Sequence, residues 1–261
     1  KNIKHGNSLI SGTDQELEKY FGKNYRDKKP FNWKEEFPDV FEQHGFDVII
    51  GNPPYVFGGN YGIQNEDKEY FKETFISGSG KINLFTIFIE KSIKLLKNTG
   101  QLSFIIPNTF LRVTSYEKTR EYILRNTHIR QIVDVGTDVF SGAVTSSIIL
   151  LLEKQSQANL ESLGVGIKMG VAGQMTKIKQ SEFDKNNYIF NIGSDPLELQ
   201  LLNKLSTNSI LLGELCSELI FGVVITKNRD KLVSNFQKPG FKSFLEGRDI
   251  GRYYISPIKK Y

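Results

Sequence analysis

The stretch DVIIGNPPY, residues 47–55, constrains the fold of this chain more than any other. An apolar run from Phe46 to Ile50 meets Gly51 and then, after Asn52, two prolines. Proline has no N–H and fixes φ near −65°, so a strand ladder cannot pass through Pro53 and Pro54. The residue before a proline is driven to extended geometry as well. The sequence therefore predicts a buried strand that stops abruptly and presents Asn52 and the carbonyl after it in a rigid, outward turn. In open α/β sheets ligands bind beyond the carboxyl ends of the strands, so Asn52-Pro53-Pro54-Tyr55 stands where a site belongs. A chance match of these four residues is roughly one in a thousand for a chain of this size. The same four also make a serviceable turn with no chemistry.

Around this strand the apolar spacing alternates between helix and strand periods. Leu84, Phe85, Phe88, Ile89, Ile93 and Leu96 recur at helical spacing, with Lys91, Lys94 and Lys97 on the other turns. Gly100 is placed to close that helix, and Leu102 to Ile106 reads as a second buried strand stopped at Pro107. Thr114 and Glu117 have capping-box spacing ahead of a helix running to about Arg125. Ile129 to Val135 and Val144 to Leu152 supply two more strands. Alternation followed by a strand pair predicts an α/β fold whose mostly parallel sheet ends in an antiparallel hairpin. Charged and amide residues crowd 153–161, and the apolar pieces after them are short and irregular. The expected domains are 1–155, 156–205 and 206–261.

Composition narrows the setting. With 39% hydrophobic and 24% charged residues the chain is ordinary globular rather than disordered. Its longest aliphatic run, Ile148 to Leu152, is far short of the roughly 20 residues that span a bilayer. The single cysteine, Cys216, makes no internal disulfide, and no Cys/His spacing suits zinc, which fits a reducing compartment. A net charge of +5 is a mild pull toward a polyanionic partner. His5, His44, His128 and Trp33 have no matching catalytic partners and read as structural or surface residues.

The tetrapeptide suits one kind of chemistry. The Asn52 side-chain oxygen and the Pro53 carbonyl can each accept a hydrogen bond from one planar –NH₂, such as that of adenine. Two such bonds favour a more tetrahedral nitrogen and return its lone pair from the ring, so it becomes nucleophilic without a strong base. Tyr55 adds a flat surface for a base, worth about 1–3 kcal/mol. Extracting a base from a duplex costs a few kcal/mol, the same order.

On these residues the chain resembles the amino-methyltransferases that modify adenine N6 in DNA, with the gamma-type order of motifs, in particular the methyltransferase portion of type IIG restriction-modification enzymes. Residues 30–56, PFNWKEEFPDVFEQHGFDVIIGNPPYV, are similar to that group's approach to its motif IV. Residues 81–111 resemble its motifs V and VI, and Asp138-Val139-Phe140-Ser141 its motif VIII. The segment IKHGNSL, residues 3–9, resembles motif III. The resemblance implies a Rossmann-like, S-adenosylmethionine-dependent fold and methyl transfer to a flipped adenine in double-stranded DNA. It further implies that Asn52 and Pro53, presented by Pro54, bind the amino group, that Tyr55 and Phe140 sandwich the base, and that Asn7 and Phe88 approach the cofactor's adenine. From the residues alone, Phe140 and Phe88 are equally core aromatics and Asn7 a strand-end turn residue.

The family's glycine-rich motif I and the acid after its next strand do not occur in these residues. Gly58-Gly59-Asn60-Tyr61-Gly62 follows the tetrapeptide and reads as a lid loop. The chain is thus expected to be the later half of a methyltransferase sheet, with weak cofactor binding on its own and an unprotected sheet edge prone to self-association. Residues 217–230 and 244–253 resemble the opening of the family's target-recognition domain, where Lys227, Arg229, Arg248 and Arg252 would contact phosphates or guanine edges. Two other readings stay open: a protein glutamine methyltransferase, which also acts on a planar –NH₂, and a non-catalytic DNA-binding module.

Overall fold

The computed structural model describes residues 3–58, 62–137, 146–155, 162–185, 188–193, 196–207, 209–210, 212–218, 232–257 and 260–261. The chain divides into two compact units, Lys1–Leu197 and Glu198–Tyr261. The first holds one mixed sheet in the order β1-β2-β4-β3-β5-β6. Its strands are β1 (Phe46–Gly51), β2 (Leu96–Pro107), β3 (Thr127–Gly136), β4 (Ser147–Lys154), β5 (Gly164–Met169) and β6 (Met175–Lys179). β1 pairs with β2, and β3 with β5, in parallel; β4 runs antiparallel to both β2 and β3, and β6 antiparallel to β5. β1, β2, β3 and β5 therefore point one way, and β4 is the antiparallel return that the sequence predicted.

The helices are α1 (Asp14–Phe21), α2 (Trp33–Glu36), α3 (Pro38–Glu42), α4 (Asn65–Thr74), α5 (Leu84–Leu95), α6 (Glu117–Asn126), α7 (Ser181–Lys185), α8 (Pro196–Thr207) and α9 (Leu212–Leu215). None is long and apolar enough to cross a membrane among the described residues. α5 is enclosed rather than amphipathic. Phe85, Ile89 and Ile93 pack into the main core with Leu102, Ile106 and Leu150, while Ile87 faces a second cluster with Leu9, Ile10, Leu17 and Phe71. Enclosure on two sides is what the continuous apolar character of α5 and of β4 requires.

Four local expectations are corrected. Gly100 does not close α5, which ends at Leu95 with an extended cap at Leu96; β2 starts there, and Thr99 (φ 64°) turns the chain ahead of Gly100. Thr114 makes no capping hydrogen bond, and a 3₁₀ turn over Thr114–Tyr116 leads into α6. A capping box lies instead at α1, between Thr13 and Glu16. Nor does the sheet stop near 155, since β5 and β6 extend it. They dock through polar groups: the buried Gln180 amide accepts from Ile129 N and donates to the Thr127 carbonyl, both at 2.8 Å. His128 Nε2 lies 2.9 Å from the Gly164 carbonyl. β1, expected to be buried, is instead an edge strand in which no residue is buried, with Val48 and Ile50 exposed because β2 covers only one side of it. In the second unit a short hairpin joins β7 (Ile250–Gly251) and β8 (Tyr254–Ile255).

Candidate active site

The entry to β1 is set by Gly45, whose φ is +125° and where a Cβ would stand 2.5 Å from the Leu95 carbonyl. Only glycine lets the strand begin against the end of α5. Parallel register with β2, Ile49 opposite Leu102 and Gly51 opposite Phe104, then carries its carboxyl end alongside that strand. Beyond Gly51, Asn52 is exposed, Pro53 buried, and Pro54 and Tyr55 exposed. Among the described residues neither the Asn52 side chain nor the Pro53 carbonyl takes a hydrogen bond.

Tyr55 is not a freely swinging ring. Its hydroxyl donates to the Ile105 carbonyl of β2 at 2.9 Å, and its ring meets Phe85 edge to face, with centroids 6.2 Å apart. Partial burial raises the phenol above its ordinary pKa, so it stays a donor at neutral pH. The chain beyond is stitched to the start of α5. Leu84 N donates to the Val56 carbonyl at 3.0 Å and Gly58 N to the Ile82 carbonyl at 2.8 Å. Asn83 caps α5 through Phe85 N.

Two clefts border the tetrapeptide. One, of about 440 Å³, is edged by Asn52, Pro53 and Pro54 and walled by Trp33, Phe88 and Lys91. The other, of about 280 Å³, lies between Asn7, Leu9, Pro54, Asp67 and Phe88. Asn7 and Phe88, far apart in sequence, thus share one cleft with the turn. Phe88 is half-buried and packs on both apolar clusters while lining both clefts. The Asn7 side-chain oxygen accepts from Leu9 N at 3.2 Å, and its backbone N donates to the Lys29 carbonyl at 2.7 Å. Asn7 is therefore a turn residue in place within the cleft.

Two lining residues escaped the sequence reading. Asp67 sits on α4 with Oδ1 buried, 2.9 Å from the Lys28 ammonium, and takes no hydrogen bond of good angle. Lys91 was expected on the polar turns of α5, yet it is partly buried, donates to Ser11 Oγ at 2.9 Å, and is pushed down to about 8 by burial. No sequence signal marks either, because helical spacing alone groups Lys91 with its exposed neighbours.

Phe140, Lys227 and Arg229 lie outside the described residues, as do 59–61 of the expected lid loop. Arg248 is paired with Glu246 at 2.5 Å. Arg252 is exposed at the β7–β8 turn, its guanidinium 5.5 Å from the Tyr253 ring centroid.

Residues 2–140, which hold β1, the tetrapeptide, α5 and β2, match the model of the Eco57I restriction-modification methylase family. The chain belongs to this family. Over 161 residues it is 30% identical to the type II restriction enzyme and methyltransferase RM.Eco57I of Escherichia coli, spanning 60% of this chain and 15% of that protein. Over 210 residues it is 27% identical to the type II methyltransferase M.VspI of Vibrio sp. (strain 343), spanning 79% and 48%. Among solved structures, the type IIG restriction endonuclease BpuSI is similar at 17% identity and a TM-score of 0.45, over 71% of this chain and 25% of that one. This Eco57I-family chain thus spans less than half the length of the curated relatives described.

Proposed function

We propose that this chain carries the amine-binding part of a restriction-modification methyltransferase that transfers a methyl group from S-adenosylmethionine to N6 of an adenine flipped out of double-stranded DNA. The observation that carries the reading is the tetrapeptide at the end of β1, with two uncommitted acceptors on a rigid turn and Tyr55 pinned beside them. The adenine –NH₂ donates one hydrogen to Asn52 Oδ1 and one to the Pro53 carbonyl, which localises the nitrogen lone pair. The nitrogen so presented would be the nucleophile toward the cofactor's methyl group, and the proton it sheds would pass to water. Tyr55 stacks on the base, and Phe140 covers its other face.

The 280 Å³ cleft fits the adenine end of the cofactor, an apolar slot with polar groups at its margin. Leu9, Pro54 and Phe88 hold the ring. Asn7, which accepts from Leu9 N, and the Asp67 carboxylate, paired with Lys28, both stand on the cleft wall, and the charged acceptor would take the ring's amine more strongly. S-adenosylmethionine supplies an electrophilic methyl on a cationic sulfur. Lys227, Arg229, Arg248 and Arg252 belong to DNA contact in this reading, and the exposed edge of β1 to self-association or to pairing with a further strand.

The test is Asn52→Ala in the full-length polypeptide. Transfer of labelled methyl to adenine in a duplex is expected to fall about a hundredfold or more, with duplex affinity unchanged. Wild-type turnover by the variant refutes the reading, and label on protein glutamine instead of DNA favours the alternative substrate.

A further inference from the structure

We infer that the cleft between Lys68, Lys72 and Lys81 is a binding site for the phosphate backbone of DNA, which places part of the DNA grip on the catalytic unit itself. The inference rests on the DNA reading above and deepens it. The cleft measures about 480 Å³ and is lined by those three lysines with Phe57, Gly58, Gly80 and Ile82, and by no acidic residue.

Its charge is uncompensated for an identifiable reason. α4 carries acids as well as lysines, but cations from the N-terminal segment take them: Lys28 pairs with Glu66 at 3.3 Å and Asp67 at 2.9 Å, and Lys19 with Glu73 at 3.0 Å. The remaining acid of α4, Glu69, does not line the cleft. Among the described residues Lys68, Lys72 and Lys81 make no ion pair, and the Lys68 ammonium donates only to Asn65 Oδ1 at 3.2 Å. Lys68 and Lys72 stand one turn apart on the same helix face, where like charges repel. An arriving polyanion relieves that repulsion and releases its own counterions.

Position supports the assignment. The cleft opens two residues past Tyr55, and its wall at Gly58 is hydrogen-bonded to Ile82, so it is built onto the same turn as the tetrapeptide. A Cβ at Gly58 would lie 3.5 Å from Lys68 Cε, so the lysine stem crosses the bare backbone there. Phe57, 60% exposed, sets an aromatic surface beside the ammonium groups. Three cations with a neighbouring flat ring suit a nucleic-acid strand, which offers phosphates and bases together.

The experiment is fluorescence anisotropy of the whole chain with a short labelled duplex over a salt series. The triple variant Lys68→Gln/Lys72→Gln/Lys81→Gln is expected to bind about tenfold more weakly at low salt, and its log–log salt slope to fall by about 2 to 3, near 0.9 per lost phosphate contact. The triple Lys68→Arg/Lys72→Arg/Lys81→Arg is expected to bind as the wild type does. Lys118→Gln/Lys177→Gln/Lys179→Gln removes the same net charge elsewhere and is expected to change the slope by less than about 1. Equal losses in the two Gln triples, no loss in the first, or displacement of the duplex by inorganic phosphate at constant ionic strength would overturn the inference alone. A wild-type chain that binds no duplex would overturn it together with the DNA reading.

Discussion

The Tyr55 hydroxyl donates to the Ile105 carbonyl across 2.9 Å, tying the residue after the two prolines to the strand beside β1. Ring and tether are separable by substitution. Tyr55→Phe keeps the flat surface and removes one hydrogen bond, so it is expected to lower unfolding free energy by about 1 kcal/mol and leave methyl transfer within tenfold, by roughly that same energy. Tyr55→Ala removes the surface too, and base positioning is expected to weaken by a further 1–3 kcal/mol or so. Urea denaturation and the affinity for a duplex with an abasic partner opposite the target adenine separate the two effects. Equal behaviour of the two variants would deny the ring its role.

Lys91 makes stability depend on pH. Its pKa lies near 8 in the folded chain, against an ordinary 10.5, because burial disfavours the ammonium and Lys94 adds to the effect. Between those values the unfolded chain holds a proton that the folded chain has lost, so stability rises with pH across that window. The gain is on the order of 3 kcal/mol. Lys91→Met is expected to lack this rise, and the difference between wild-type and variant urea midpoints from pH 7.5 to pH 10.5 isolates it from other titrations. Parallel midpoint curves would contradict the burial.

The parts of the fold legible in the sequence are those written in apolar spacing and proline stops: β1 with Asn52-Pro53-Pro54-Tyr55, α5, and the paired β3 and β4. What was not legible depends on polar groups meeting across long separations. β5 and β6 carry few buried apolar residues and are held by Gln180 and His128, and a glutamine amide aimed at two backbone groups of β3 leaves no periodic trace. Thr114 and Glu117 had the spacing of a cap, yet the chain takes a 3₁₀ turn that buries Tyr116 against Phe85 and Phe110. Packing there outweighs a cap worth about 1 kcal/mol. Asn7 lines the cleft while its oxygen accepts from Leu9 N of its own turn, and Asp67, which no spacing marks, joins it there from α4.

Arg120 is fully buried and, among the described residues, makes no salt bridge, though Glu117 is near enough to favour its charge. Its Nη1 donates to the Phe110 and Val113 carbonyls at 2.8 Å each, and its Nε to the Tyr188 carbonyl, clamping the segment after β2. Burial lowers it to about 10, still charged at neutral pH. Arg120→Met strands the buried Phe110 carbonyl and the part-buried carbonyls of Val113 and Tyr188 and is expected to cost about 2–4 kcal/mol, seen as a clear drop in melting temperature. Arg120→Lys, with one point charge in place of a fork, is expected to recover less than half. A melting temperature unchanged in both would show that water reaches these carbonyls.

If Asn7 holds the turn and Asp67 the ligand's amine in the 280 Å³ cleft, as proposed above, their variants are expected to part accordingly. Asn7→Asp still offers an oxygen to Leu9 N and keeps the turn, whereas Asn7→Ala loses it at about 1 kcal/mol. In the proposed reading Asp67 acts on the ligand: a carboxylate only accepts, so it favours the 6-amino group of adenosine and repels the 6-oxo group of inosine, and an amide at this position repels it less. Ligand-observed NMR with 5′-methylthioadenosine and 5′-methylthioinosine reads the preference directly. Wild type is expected to favour the adenosine compound by about tenfold, the value of one hydrogen bond to a charged group, and Asp67→Asn to bring the two within about threefold. A preference unmoved by Asp67→Asn but lost in Asn7→Ala would assign the amine to Asn7 instead.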